Sequence, residues 1–193
     1  WRKEWSGAAQ QDFPFLWVQL PNFGAVDSVP PLHADWAILR DAQTAALSLP
    51  NTGQAVIIDL GDPEDIHPRA KQPVGHRLAL QARKVAYGEK LIASGPTYRR
   101  HTIAGAEVRI EFDNVADGLT TQRAQPVCGF ALAGADRRFV AARARIARNR
   151  VVVSSPRVSS PVAARYAWSN SPPCANLFNR AGLPARPFRT DDW

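Results

Sequence analysis

Two short, almost wholly apolar runs constrain the fold most, because each is followed by a segment of helical length. The runs are DFPFLWVQL (12–20) and QAVIIDLG (54–61). Such runs are typical of strands buried on both faces, as in a parallel sheet covered by helices. The segments 34–49 and 71–88 carry apolar residues at helical spacing. Residues 12–90 therefore predict strand, helix, strand and helix, which indicates an α/β layer with a parallel sheet.

Two strands are too few for a complete sheet with helices on both faces. We therefore expect the remaining strands to lie upstream or in another chain. The 193 residues contain no Met and begin with WRKEWSG, which favours a portion of a longer protein. The composition, 45% apolar and 21% charged, is that of a globular protein. No apolar run approaches the roughly 20 residues of a membrane-spanning helix, so we predict no membrane partner.

The pattern changes near residue 96. The segment AGAEVRIEFDNV (104–115) alternates apolar and polar residues, and further short β-rich segments follow with turn residues between them. This spacing predicts an antiparallel β-sandwich or jelly-roll-like module. We assign residues 1–96 to part of an α/β domain and residues 97–193 to a β module.

The formal charge of +7 first suggests a nucleic-acid partner. The excess is confined to one half, because residues 1–98 carry a net −1 and residues 99–193 a net +8. Arg143 and Arg145 alternate with Ala, which places them on one face of a strand. A nucleic-acid groove needs interleaved aromatic residues and denser clustering, so we interpret these arginines as a solvated sheet face.

The two cysteines, Cys128 and Cys174, leave two alternatives open. They form one disulfide or remain two buried thiols, since a single pair in a chain of this size makes no disulfide scaffold. Neither cysteine has a CxxC or His neighbour, so no zinc site is predicted.

The loop after the second apolar run concentrates the residues that could carry chemistry. The segment GDPEDIHP places Asp62, Glu64, Asp65 and His67 within six positions. In open α/β sheets working residues lie in loops at the carboxyl ends of strands. A His beside a carboxylate can form the base and orienting members of a nucleophilic triad. The alternatives are an ordinary surface turn, or a metal site, for which no other His has convergent spacing.

No serine in the chain has the context of a nucleophile. None lies in a G-x-S-x-G turn or a Gly-Asp-Ser turn after a strand. Taken alone, the sequence therefore contains half of an active site.

Several segments resemble one known family. IDLGD…DIHP and the ending RYAWSNSPPCANLFNRAGLPARPFRTDDW look like the carboxyl-terminal part of bacterial sialate O-acetylesterase-like proteins. These are SGNH-type carbohydrate esterases. The resemblance implies the end of an SGNH parallel-sheet domain followed by an antiparallel β-sandwich. It also implies hydrolysis of acetyl esters on sialic acid or on plant-wall xyloglucan or xylan, with no metal or organic cofactor.

The resemblance also implies roles for particular residues. His67 matches the family's general base. The triad carboxylate is Asp65 or Glu64, with Asp62 behind them, or there is none if the enzyme uses a Ser–His dyad. The nucleophilic Ser belongs to an amino-terminal segment that this sequence lacks, so that segment or chain is an expected partner beside the acetylated carbohydrate. The family positions at Gln19, Arg40 and Gln43 either contact substrate or tie the helix at 34–49 to neighbouring loops.

A second class of function remains open. The β module could bind glycans or brace a catalytic domain, with Trp168, Tyr166 and Phe178 stacking on sugar rings. We expect these aromatic residues to fill the core instead. The resemblance implies a periplasmic or secreted bacterial protein, since members of the family are usually exported.

Overall fold

The computed structural model describes residues 2–5, 12–27, 30–122 and 125–193. Its first half has the predicted alternation of strands and helices. The elements are α1 (Arg2–Trp5), β1 (Phe15–Val18), α2 (Asp35–Ala45), a 3-10 turn (Ala46–Ser48), β2 (Thr52–Ala55) and α3 (Lys71–Val85). Strands β1 and β2 pair in parallel, with Phe15 opposite Thr52 and Val18 opposite Ala55.

The two apolar runs differ from the prediction in length and burial. Strand β1 is four residues long; Phe15 is 40% exposed and the rest of the strand is half-buried, so burial on both faces is wrong. Within the described ranges β1 has one partner strand, which leaves its other edge uncovered. Strand β2 ends at Ala55, although Val56 and Ile58 remain buried. These two residues pack into the core of the β-rich half instead of extending the ladder.

Helix α3 packs on the parallel pair through a polar face. Arg77 and Gln81, four residues apart, are its buried residues. The amide of Gln81 donates to the carbonyl oxygen of Ala93 at 2.6 Å. A Cβ on Gly53 would lie 2.8 Å from a Leu16 methyl and 2.9 Å from Gln81 Oε1, so glycine lets helix and strand approach. No helix in the described residues has the length and apolarity needed to cross a membrane.

The second half consists of short antiparallel strands. They are β3 (Thr97–Ala104), β4 (Glu107–Asp113), β5 (Leu119–Thr121), β6 (Phe130–Ala133), β7 (Phe139–Ala141), β8 (Arg143–Ala147), β9 (Arg150–Ser154), β10 (Ala163–Tyr166), β11 (Leu177–Asn179) and β12 (Phe188–Arg189). Two four-stranded sheets have the orders β12-β10-β6-β7 and β3-β4-β9-β8, and β11 pairs with β5. The chain is thus a mixed α/β protein with antiparallel sheets.

A continuous hydrophobic core lies between residues of both large sheets. Along β4, Val108, Ile110 and Phe112 are buried, as the alternating pattern predicts. Tyr166 and Phe178 are buried in the same half at 0% and 5% exposure, which favours the interpretation of these rings as core. The core cluster continues into the residues after β2, so both halves of the chain share it.

The outward face of sheet β3-β4-β9-β8 carries the charged residues. Arg145 on β8 pairs with Glu107 on β4 at 3.3 Å, and Arg100 on β3 pairs with Glu111 at 2.7 Å. Arg143 and Arg145 are exposed, as predicted for one strand face. The Arg100–Glu111 pair joins the adjacent strands β3 and β4, and the Arg145–Glu107 pair reaches across β9, so acidic side chains of β4 offset part of the arginine charge on this face.

Cys128 and Cys174 form a disulfide. It joins the segment before β6 to the segment before β11. Of the two alternatives left open by the sequence, the structure has the bridge.

Candidate active site

The structure brings Asp65 and His67 into direct contact in the loop after β2. His67 Nδ1 lies 3.1 Å from Asp65 Oδ1, and the backbone N–H of His67 donates to the same oxygen at 2.8 Å. The imidazole is 79% exposed and the carboxylate 44% exposed. A carboxylate on Nδ1 leaves Nε2 available to a neighbouring hydroxyl, which is the arrangement of a base and its orienting acid.

Hydrogen bonding gives the two candidate triad carboxylates, Asp65 and Glu64, different environments. The backbone and side-chain bonds from His67 lower the pKa of the Asp65 carboxyl below its usual value. Glu64 is exposed, and its backbone N–H donates to Asp62 Oδ1 at 3.0 Å. In the part of the chain that the structure describes, the Glu64 carboxylate has no hydrogen bond to His67. The geometry therefore favours Asp65 over Glu64 as the orienting acid.

The loop is held at its start by the segment that follows β1. The backbone N–H of Gly61 donates to Asn22 Oδ1 at 2.9 Å, and the N–H of Gly24 donates to the Pro63 carbonyl oxygen at 2.9 Å. A Cβ on Gly61 would collide with the backbone and side-chain oxygens of Asn22. The two loops after β1 and β2 thus fit together at the carboxyl edge of the parallel pair.

A buried ion pair fixes the backbone where the loop leaves the strand. Arg77 on α3 binds Asp59 with two parallel hydrogen bonds, of 2.5 Å and 2.7 Å, and donates to the Val56 carbonyl oxygen at 3.0 Å. Both side chains are at most 10% exposed. This bidentate geometry orients the chain just before Gly61.

Arg40 and Gln43 lie on α2, and Gln19 follows β1. Arg40 is fully buried and donates to the carbonyl oxygens of Leu20, Pro21, Ser169 and Asn170 at 2.5–3.1 Å. Burial lowers the pKa of its guanidinium to about 10.

The two glutamines complete this connection between α2 and β1. Gln43 Oε1 accepts from the Leu20 N–H at 3.0 Å, and the Gln19 amide donates to the Arg40 carbonyl oxygen at 3.2 Å. All three side chains tie α2 to neighbouring loops in this structure. Contact of Gln19, Arg40 or Gln43 with substrate stays a prediction.

Sequence reasoning missed Asn22 and the Asp59–Arg77 pair. Asn22 lies at the carboxyl end of a predicted strand, beside the end of its parallel neighbour, and that placement alone could have marked it. Arg77 offered no such signal, because its partner is 18 positions away on another element.

Metal binding finds no support in the side-chain geometry. Across residues 2–5, 12–27, 30–122 and 125–193, no three His, Cys, Asp or Glu side chains converge as a metal site requires. Among the described residues, the three other histidines make no hydrogen bond to the loop: His33 bonds Asp35 at 2.9 Å, His76 is exposed on α3, and His101 Nδ1 lies 2.8 Å from the Tyr98 hydroxyl.

Comparison with known proteins agrees with this mixed α/β architecture. A solved carbohydrate acetylesterase from Xanthomonas citri is 52% identical over 93% of the chain, with a TM-score of 0.88. The alignment covers 41% of that structure's chain. No family model matches the sequence.

Curated mammalian proteins are similar over a shorter stretch. The sialate O-acetylesterase of Rattus norvegicus is 41% identical over 103 residues, and that of Homo sapiens 38% over 103 residues. Each alignment covers 47% of this chain and 18–19% of the length of the relative. The matched part of the chain therefore spans less than a fifth of these relatives. These similarities support a sialate O-acetylesterase-like family for the chain.

Proposed function

We propose that this chain supplies the general base of a carbohydrate acetylesterase whose nucleophilic serine lies in an amino-terminal segment outside the sequence. The observation that carries the proposal is the Asp65–His67 pair, exposed in the loop after a parallel strand. The names of the similar proteins, sialate O-acetylesterase and carbohydrate acetylesterase, support the same chemistry.

The reaction follows the acyl-transfer template. The serine hydroxyl attacks the acetyl carbonyl while His67 Nε2 takes its proton, and the sugar alcohol leaves with that proton from His67. Water then attacks the acetyl-enzyme while His67 accepts its proton, the ester bond to serine breaks, the serine oxygen takes that proton from His67, and acetate is released. Asp65 holds the imidazole through Nδ1 and stabilises the imidazolium that forms in each step.

The proposal has a structural part. Residues 1–96 complete an SGNH parallel sheet contributed mainly by the amino-terminal segment, and residues 97–193 form the β-sandwich module beside it. The substrate is an O-acetylated sugar, either sialic acid or the plant-wall polysaccharides xyloglucan and xylan. Such substrates are met outside the cytoplasm, so the proposed location is the periplasm or the exterior.

The test uses the complete protein that contains this chain and measures acetate release from O-acetylated sialic acid, xyloglucan and xylan. His67→Ala should lower turnover by roughly 10⁴-fold or more, the effect of removing a triad histidine. His76→Ala, an exposed histidine on α3, is the matched control and should leave turnover unchanged. Near-normal acetate release by His67→Ala would contradict the proposal.

Two further variants identify the carboxylate. Asp65→Asn should lower turnover by roughly 10³-fold or more while Glu64→Gln leaves it nearly intact, because among the described residues Asp65 is the carboxylate that bonds the ring. The reverse order would assign the orienting role to Glu64, and no effect of either would indicate a Ser–His dyad.

A further inference from the structure

A cleft of about 700 Å³ lies between the turn that joins β6 to β7 and the loop that leads into α2. Its size is within the range of roughly 300–1,000 Å³ usual for small-ligand sites. None of the residues that line it belongs to the loop 61–68, so it is separate from the Asp65–His67 pair.

On the floor of the cleft the buried guanidinium of Arg165 is neutralised by a carboxylate. Arg165 is buried and binds Asp191 with two hydrogen bonds, of 3.0 Å and 2.6 Å. Its guanidinium lies 3.9 Å from the centre of the Phe139 ring and 5.5 Å from that of Trp168. Arg165 also donates to the Trp193 carbonyl oxygen at 3.2 Å. This floor offers shape and aromatic surface but little free charge.

The free positive charge is on the rim. Arg137 and Arg138 are exposed and line the cleft. In the described part of the chain neither guanidinium has a carboxylate partner, and Arg137 lies 4.9 Å from the centre of the Trp193 ring. The neighbouring Asp136 carboxylate accepts the backbone N–H of Arg138 at 3.2 Å. Two consecutive arginines that line the cleft are therefore available to an anionic group.

Arg137 occupies a backbone position that favours glycine. Its φ is +59°, and its N–H donates to the Gly134 carbonyl oxygen at 3.0 Å to close the turn. Glycine adopts this left-handed conformation at lower cost than arginine. A strained residue that lines a cavity is consistent with a role for its side chain.

The opposite wall is apolar and exposed. Leu32 is 66% exposed and Ile38 40% exposed, and both line the cleft. A ligand that fits needs an apolar face for this wall and a carboxylate for the rim, where arginine makes planar bidentate bonds. A pyranose ring that carries a carboxylate has both features. We propose that this cleft is an accessory binding site for an acidic saccharide, a uronic-acid residue of a glycan.

The test is isothermal titration calorimetry of the complete protein that contains this chain, with three probes: trigalacturonate, xylotriose as its uncharged counterpart, and sodium acetate as a simple anion. Trigalacturonate should bind, with an affinity that falls as salt is raised, while xylotriose and acetate at equal concentration give no signal. Arg137→Gly should weaken trigalacturonate binding about tenfold or more, as expected for loss of a charged hydrogen bond.

Arg148→Gly is the matched control. Arg148 is also exposed, has a φ of +57° and lies outside the cleft, so both variants remove one charge and relieve one left-handed residue. Neither should lower the melting temperature, and Arg148→Gly should retain binding. Equal weakening by both variants would show nonspecific charge attraction and overturn the site, as would equal binding of xylotriose or no binding of trigalacturonate. The proposal does not depend on catalysis, which the acetate-release assay tests separately.

Discussion

At the scale of single residues, the geometry of the Asp65–His67 pair follows from the short separation of the two residues, which are two positions apart in the sequence. A carboxylate two residues before a histidine can accept the backbone N–H and reach the ring at once, and here it does both. The pair is therefore oriented locally and needs no distant element. The hydrogen bond from the Gly61 N–H to Asn22 Oδ1 then fixes where the loop that carries this pair lies relative to the end of β1.

The pKa of Asp65 tests this local geometry. We expect its carboxyl to titrate below the value of about 3.9 that is usual for Asp, because its oxygen accepts two bonds from His67. His67→Ala removes the ring but keeps the backbone N–H, which is the larger cause, so most of the lowering should remain. Carbon-detected NMR of the side-chain carboxyls during a pH titration measures both values.

The sign of the accompanying pH effect on folding follows from the lowered pKa. A carboxyl with a lower pKa in the folded state stabilises that state above its unfolded pKa, and the contribution is lost as the pH falls through the folded value. Asp65→Asn should therefore reduce the acid sensitivity of unfolding, while Asp136→Asn serves as a comparison away from His67. An Asp65 pKa at or above the usual value would contradict the geometry.

At the scale of elements, the periodicity of apolar residues predicted which helices and strands exist, and in what order, better than it predicted the residues at which they begin and end. Helices α2 and α3 and strand β1 lie where apolar spacing placed them, whereas β2 shares only Gln54 and Ala55 with the apolar run 54–61. The end of β2 was not predictable, because Val56 and Ile58 are apolar for a different reason: they enter the core of the β-rich half. An apolar run predicts that its residues are buried, but it does not predict which strand, helix or sheet packs against them.

Arg40 shows why the burial of a polar side chain cannot be read from its helix. Two of its four carbonyl acceptors belong to Ser169 and Asn170, about 130 positions further along the chain. The other two are at Leu20 and Pro21, directly before Asn22. Arg40 thus connects α2, the β-rich half and the segment that holds the candidate catalytic loop.

We expect Arg40→Lys to destabilise the protein by about 2–4 kcal/mol, because one ammonium has three donors and cannot reproduce the planar reach to four carbonyls. Urea denaturation measures the free energy of unfolding. Arg83→Lys is the control, since Arg83 is exposed and pairs with Glu89 at 2.6 Å, and this substitution should change the free energy of unfolding far less than Arg40→Lys does. Equal effects of the two substitutions would show that Arg40 is not the connection described.

At the scale of the whole molecule, the two halves interlock instead of meeting at a single linker. Arg165 donates to the Leu32 carbonyl oxygen at 3.0 Å, and the Trp36 N–H donates to Asn170 Oδ1 at 3.0 Å. Asn179 binds the carbonyl oxygens of Ser94 and Asn114 at 3.1 Å and 2.9 Å. Such contacts join residues far apart in sequence, so composition and periodicity could indicate two kinds of structure but not how they pack.

The Cys128–Cys174 disulfide bears on this interlock, because the segment it holds continues from Asn170, to which α2 is bound. The two cysteines are 46 positions apart. Closing a loop of this length lowers the entropy of the unfolded chain, which stabilises the folded protein by about 4 kcal/mol in the chain-entropy model, and measured effects are typically about 2–4 kcal/mol.

The double variant Cys128→Ser/Cys174→Ser should have a free energy of unfolding that is lower by an amount in that range, measured by urea denaturation. Adding reductant should lower the stability of the wild-type protein toward that of the variant and leave the variant unchanged. Two alkylatable thiols in the native protein, or equal stability with and without reductant, would show that the bridge does not hold these segments together.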